Sequence, residues 1–185
     1  MHESLPIFDP VLDQASLPVE AAGSRSGISY RTTVDPADAV AVRNLIRSTG
    51  FFSDDETAIA VELVEAYLTH GPASTYRFVF AEDAGRLAGY ACHGRIPLTQ
   101  ASHDLYWIAV RPDLQGRGLG GRMLALAEDA VRVAGGRQLY VDTSARAQYA
   151  PTREFYRRRG YIAVAELADF YAPGDGKIVL LKTLR

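Results

Sequence analysis

The segment LQGRGLGGR, Leu114 to Arg122, carries the clearest chemical signal in the chain. Gly116, Gly118 and Gly121 give the spacing G-x-G-x-x-G of a dinucleotide-binding loop. Asp142 follows at about the twenty-residue distance where such a loop keeps its ribose-binding acid. The same residues also read Gln115-x-x-Gly118-x-Gly120, a different pattern. In both cases glycines can turn their amides inward without a Cβ in the way, and a following helix adds the positive end of its dipole. Both patterns describe a phosphate cradle; the surrounding elements decide which phosphate it takes.

Those elements can be read from periodicity. Residues 1–26 hold Pro6, Pro10 and Pro18 and then GSRSG, with no helical or strand period, and read as an extended N-terminal arm. ISYRTTV (28–34) alternates as a strand does. DPADAVAVRNLIRSTG opens with Asp35 as N-cap and Pro36 at the first helical position, and stops at Gly50. A second helix over about 54–69 puts Ile59, Leu63, Ala66 and Tyr67 on one face. Three strands follow in a meander, 75–82, 86–94 and 103–110, the first two joined by the turn DAG. A helix from about Gly118 to Ala134 ends at Gly135-Gly136, and QLYVDTS (138–144) is the next strand. The short helix PTREFYRRRG precedes two last strands, YIAVAEL and KIVLLKTL, which flank a loop ADFYAPGDG. The order β-α-α-β-β-β-α-β-α-β-β predicts one mixed sheet with helices on both faces, in a single domain over 27–185.

This order excludes a dinucleotide fold. RPDLQ separates Val110 from Gly116, where that fold needs the glycine directly after the strand. The three preceding strands have no crossover helices, and too little chain remains after Gly121 for a second half. Asp142 is then a strand-end or turn residue. A P-loop is excluded because no Gly-Lys-Ser/Thr follows.

DLYWIAVRPDLQGRGLGGRML followed by FYRRRGY resembles the GNAT superfamily of acyl-CoA-dependent N-acyltransferases. The family pattern (Arg/Gln)-x-x-Gly-x-(Gly/Ala), between the fourth strand and the next helix, is matched by Gln115, Gly118 and Gly120. The resemblance spans about 28–185. It implies an α/β (α+β) fold with a mostly antiparallel seven-stranded sheet that splays between strands 4 and 5. It also implies that acetyl-CoA, with no metal, is the cosubstrate. The pyrophosphate would sit on Gln115, Gly116, Arg117, Gly118, Gly120 and Gly121, and the pantetheine amides along Ile108, Ala109 and Val110, as an added strand would.

Acetyl transfer to an amine needs a neutral amine, support for the oxyanion and a proton for the departing thiolate. The resemblance assigns the last task to Tyr156, a phenol near pKa ~10 facing a thiol near ~8.5. Asp104 matches the position of a strand-borne catalytic acid and is the candidate base, acting directly or through water; the alternative is a solvent-facing residue at the start of a strand. His103 and His93 are rivals. The oxyanion would fall to a backbone amide near Ile108. One departure stands out: Tyr149 occupies the place of the family asparagine that bonds pantetheine. Arg153, Arg157 and Arg158 either meet the adenosine 3′-phosphate or form a solvated helix face. The acceptor walls are FFSDDE and ADFYAPGDG, which supply Phe51, Phe52, Phe170 and Tyr171 with Asp54, Asp55, Asp169 and Asp175, a set suited to a cationic amine.

Composition sets the outer limits. The chain has 185 residues, 48% hydrophobic and 23% charged, with a net charge of −2, which gives no electrostatic footprint for nucleic acid or an anionic membrane. The lone Cys92 excludes an internal disulfide framework and fits a reducing compartment. The N-terminus has neither the basic nor the apolar region of a signal peptide, so a cytoplasmic protein is expected. The leading expectation is an N-acetyltransferase acting on a small amine, an amino acid or dipeptide among the candidates. A protein N-terminal or lysine acetyltransferase and a non-catalytic acyl-CoA-binding module are the alternatives, and homodimerisation through the last strands stays open.

Overall fold

The computed structural model describes residues 27–185; the arm expected over 1–26 lies outside the described residues. Strand β1 (Ile28–Arg31) leads into helices α1 (Asp38–Thr49) and α2 (Asp54–His70). Strands β2 (Tyr76–Asp83), β3 (Arg86–Arg95) and β4 (Ser102–Val110) follow, then α3 (Leu119–Val133), β5 (Gln138–Ser144), α4 (Ala150–Arg157), β6 (Ile162–Ala172) and β7 (Asp175–Thr183). The expected order of elements therefore holds. The strands form one seven-stranded sheet, β1-β2-β3-β4-β5-β7-β6, in which every pairing is antiparallel except β4 with β5.

The β4–β5 pairing is short. It joins Ser102, His103 and Asp104 to Gln138, Leu139 and Tyr140, and no pairing follows between Leu105–Val110 and Val141–Ser144. A bulge explains where it stops. On the β3 side Cys92 faces Trp107 but His93 faces Leu105, so Tyr106 is an extra residue on β4. Such a residue bends the strand that carries it and disrupts the local ladder. The sheet thus opens just beyond Asp104.

Alternation along the strands sorts the core into two layers. Phe78, Cys92 and Trp107 lie in one row under α1 and α2, where Tyr67 meets Phe78 edge-on at 5.9 Å. Ile108 and Val110 project from the opposite face. There a Cβ on Gly89, the partner of Val110, would come within 2.8 Å of Met123 of α3. Helix α3 is held to that face by its buried Leu119, Met123, Leu124, Ala127 and Val131. Each large apolar side chain so withdrawn contributes about 1.5–3 kcal/mol. Glu128, also buried, accepts hydrogen bonds from Tyr161 Oη at 3.1 Å and Lys182 Nζ at 2.7 Å, tying α3 to the chain after α4 and to β7.

Two local expectations are corrected. Asp35 is not the cap of α1, which starts at Asp38. The buried Asp38 carboxylate instead accepts the Asp35 N–H at 2.8 Å and both ends of the Arg31 guanidinium, a charged clamp that displaces the capping role. The loop expected over 168–176 is mostly strand: β6 runs to Ala172, β7 starts at Asp175, and only Pro173 and Gly174 make the turn. The irregularity that made these residues read as a loop is a register shift between Leu167 and Ala172, with Asp169 at φ 52° closing on the Gly174 N–H at 2.6 Å.

His93 and His103 stand on the α3 side of the sheet. His93 is buried beside His103 and Arg77, and burial above all, then those two neighbours, depresses its pKa to about 4. The folded chain therefore holds His93 neutral, whereas the unfolded chain protonates it near pH 6.5. The neutral form is favoured with no penalty above pH 6.5, and stability is lost progressively from pH 6.5 down to about 4, by about 3 kcal/mol in total. Urea unfolding across that range is expected to give a falling midpoint for the wild type and a distinctly shallower fall for His93→Leu. Equal slopes would contradict this role for His93.

Candidate active site

Two glycines shape the loop between β4 and α3. Gly116 (φ 82°) and Gly118 (φ 80°) both adopt the left-handed conformation that favours glycine, and Gly118 is the N-cap of α3. No side chain caps that helix, and its first turn carries no acid. The amides of the first turn are thus left to an incoming ligand, with Arg117 and Arg122 on either side. A Cβ on Gly118 would meet open space, so the glycine is required by the backbone conformation. Gly121 answers to packing: a Cβ there would come within 2.6 Å of the Arg159 guanidinium of the segment after α4. Gln115 braces the loop, its Nε2 donating to the Val110 carbonyl at 3.2 Å. Gly120 is buried at the start of α3.

The edge of β4 supplies a second set of groups. The Arg111 N–H donates to the Ala88 carbonyl at 2.8 Å, so Arg111 and Ala88 form a hydrogen-bonded pair. In an antiparallel ladder such pairs alternate, which assigns Ala109 to Tyr90 as the next one. The backbone groups of Ile108 and Val110 therefore point away from β3, into the opening left by β5. Of the three residues expected to hold pantetheine, Ala109 has its backbone turned to β3, and Ile108 and Val110 remain. Cradle and strand edge are contiguous and fit a pyrophosphate followed by an amide-bearing chain.

The two residues expected to move protons lie on opposite faces. Asp104 is the last β4 residue paired with β5 and shares a face with Trp107 and, across β5, with Tyr140 and Asp142. Its pKa is raised to about 7, first by burial and second by the Asp142 carboxylate, with Lys177 opposing. Tyr156 is fully buried in α4, edge-on to Phe155 at 5.1 Å and to Tyr161 at 5.2 Å, on the α3 side through the Tyr161–Glu128 bond. His103, one residue before Asp104, turns to the α3 side against Gly136 and Val131, and His93 to that side also, so neither joins Asp104.

Aromatic rings enclose the Asp104 face. Phe52 packs on Trp107 at 5.1 Å, and Phe51 meets Tyr149 edge-on at 5.5 Å. The loop between α1 and α2 thereby touches both β4 and the start of α4. Tyr149, in place of an asparagine, spans toward this wall, and its hydroxyl accepts from Arg146 Nη2 at 3.2 Å. Tyr106 stands against Tyr76 at 5.3 Å. Tyr171 lies near enough to Asp142, Asp175 and Tyr149 for their charges, after burial, to raise its pKa. Phe170 covers Lys177 Nζ at 4.8 Å.

Three of the four acids expected in these walls are otherwise engaged, and Asp55 is exposed. Asp54 pairs with Arg47 at the surface, Asp169 closes the β6–β7 turn, and Asp175 is buried against Ser144 and Arg146. The second carboxylate of the site is Asp142, which the sequence suggested was only a strand-end or turn residue. The alternation Tyr140, Asp142, Ser144 against Leu139, Val141, Thr143 in β5 was the signal that could have found it. Arg157 and Arg158 both bond Glu154, and Arg153 donates to the carbonyls of Ser144 and Arg146. All three are used within the protein.

Among the described residues no helix is long and apolar enough to cross a membrane. A family model described as an acetyltransferase (GNAT) domain matches residues 74–163. A solved structure from Desulfovibrio desulfuricans, assigned to the acetyltransferases of the GNAT family, is 46% identical over 86% of this chain and 100% of its own, with a TM-score of 0.84. An aminoglycoside 6′-N-acetyltransferase complexed with coenzyme A is 22% identical over 85% of this chain and 97% of its own, at a TM-score of 0.67. The ribosomal-protein-S18-alanine N-acetyltransferase of Escherichia coli is 19% identical over 85% and 94%, also at 0.67, and like the previous one it shares the fold. No protein of curated function matches the sequence. With a near relative matched over its whole length and the family pattern on the opened sheet, the chain belongs to the GNAT family and is an acetyltransferase.

Proposed function

We propose that the protein transfers the acetyl group of acetyl-CoA to the primary amine of a small molecule by direct attack. The observation that carries this reading is the opening beside β4. It has the amide cradle of α3 at one end, strand-edge groups turned away from β3 along it, and the Asp104 carboxylate at the point where pairing ends. Bound there, acetyl-CoA would supply the acetyl group and a thiolate leaving group. Asp104, with its pKa about 7, accepts the proton of the incoming ammonium at one oxygen, directly or through water. A backbone amide on β4 near Ile108 supports the developing oxyanion. Tyr156 Oη gives its proton to the thiolate.

Support for a small acceptor comes from the rings around Asp104. The Phe52–Trp107 and Phe51–Tyr149 contacts bring the α1–α2 loop across to β4 and α4, which narrows the approach to the carboxylate. Phe51, Phe52 and Tyr171 line that approach, and Phe170 stands at its rim over Lys177. Aromatic faces beside a carboxylate favour a cationic amine.

Thiol release from acetyl-CoA against a panel of small amines tests the proposal. Turnover with at least one amine is expected, reduced ~10²-fold or more in Tyr156→Phe. Full activity of the variant would remove Tyr156 from the chemistry, and no turnover with any amine, despite tight coenzyme A binding, would overturn the small-molecule reading. The cradle has its own test. Gly118→Ala forces an L-residue into a left-handed conformation at a cost of about 1–2 kcal/mol, so the KM for acetyl-CoA is expected to rise about tenfold with a smaller change in kcat. An unchanged KM would mean that the donor does not use this turn.

A further inference from the structure

Asp142 and Lys177 are not used by the chemistry just described, and they lie beside it. Asp104 and Asp142 stand on neighbouring parallel strands, on the same face. Asp142 is one same-face step beyond Tyr140, the β5 partner of Asp104, where the strands have begun to separate. Lys177 of β7, paired in register with Ser144, turns its ammonium back to form an ion pair with Asp142. The ring of Phe170 lies over that ammonium and shields it from water on one side, with the Lys177 side chain only 19% exposed. The result is a carboxylate, a second carboxylate and an ammonium in sequence across β4, β5 and β7.

We propose that the Asp142–Lys177 pair is a positioning device for Asp104, setting the proton affinity of that carboxyl and so the pH at which the enzyme accepts an ammonium group. This rests on the reading of Asp104 as the base. The two charges act in opposite directions: Asp142 favours the protonated form of Asp104 and Lys177 the ionised form, and of the two Asp142 is the larger influence. The side chains around Asp104 on the neighbouring strands are tyrosines, opposite a glycine. On β3 its partner is Gly94, on β4 the neighbour is Tyr106, on β5 Tyr140, and on β2 Tyr76, with the exposed Glu62 of α2 behind it. From β6, Tyr171 faces Asp142. Asp142 and Lys177 are the charges that act on Asp104, after burial. With both carboxylates ionised the site also draws in a cationic amine, and Asp104, raised by its neighbour, takes the proton more readily than an ordinary aspartate would.

Direct titration of the Asp104 carboxyl carbon by NMR tests this without substrate, and the pH profile of kcat/KM tests it in turnover. The wild-type midpoint is expected near 7. In Asp142→Asn it is expected to fall by about one pH unit or more, and in Lys177→Gln to rise by a similar amount, with the acid limb of kcat/KM moving the same way in each. A purely structural role would lower activity at all pH values without moving either midpoint in opposite directions. If neither midpoint moves, the positioning role is overturned and Asp104 as base is untouched. If the carboxyl midpoints move but the acid limb stays fixed in both variants, or persists in Asp104→Asn, then Asp104 is not the base and the positioning role falls with it.

Discussion

The whole site depends on a sheet that stops pairing in its middle. Beyond Asp104 and Tyr140, β4 and β5 separate, and the Ile108 backbone groups and the Val110 N–H lose the partner a continuous ladder would give them, while the Val110 carbonyl accepts from Gln115. Both residues are buried, so their groups cannot simply be left to bulk water. A buried polar group without a partner costs about 1–3 kcal/mol. In the proposed complex, an amide-bearing chain laid along β4 supplies partners to the Ile108 groups and the Val110 N–H. This is preorganisation in the physical sense: the backbone is fixed by β3 on one side and waits on the other. The Tyr106 bulge is the local cause, and the packing of α3 against β2, β3 and β4 keeps the opened strand from collapsing.

The same separation divides the chemistry. Asp104 and Asp142 face the α1–α2 side, and Tyr156 belongs to the α3–α4 side. In the proposed reaction an amine reaching Asp104 and a thiolate leaving toward Tyr156 would therefore approach the opening from opposite faces, so the acceptor and the donor need not compete for one cavity. Burial contributes on both sides. It raises Asp104 to about 7, where a carboxylate can exchange protons near neutral pH, and it keeps His93 neutral in a layer that has no use for its charge.

Much of this was legible in the sequence because local rules and the global fold agree there. The glycine spacing, the meander turn DAG and the amphipathic pattern of α3 each follow from short-range physics, and the order of elements came with them. What was not legible depended on contacts far apart in the chain. Arg31 and Asp38 override the capping rule at Asp35, because a charged, buried clamp is stronger than a side-chain cap. The β6–β7 hairpin hid behind a register shift, since Pro and Gly in a short turn look like a longer loop. Asp142 loses its ribose-binding reading with the dinucleotide fold, yet its place in the alternation of β5 puts it on the same face as Asp104. The acids in FFSDDE and ADFYAPGDG suit a cationic acceptor by composition alone, yet Asp54 is spent on a surface pair and Asp175 on a buried one.

The central claim is that coenzyme A completes the unpaired edge of β4, and amide hydrogen exchange with and without coenzyme A tests it most directly. The amides of Ile108 and Val110 are expected to slow more than tenfold on saturation, while Ala109, turned to Tyr90 of β3, stays as protected as before. Exchange at Ile108 and Val110 that is no slower with coenzyme A bound would contradict the account, because the opening in the sheet would then have some other purpose.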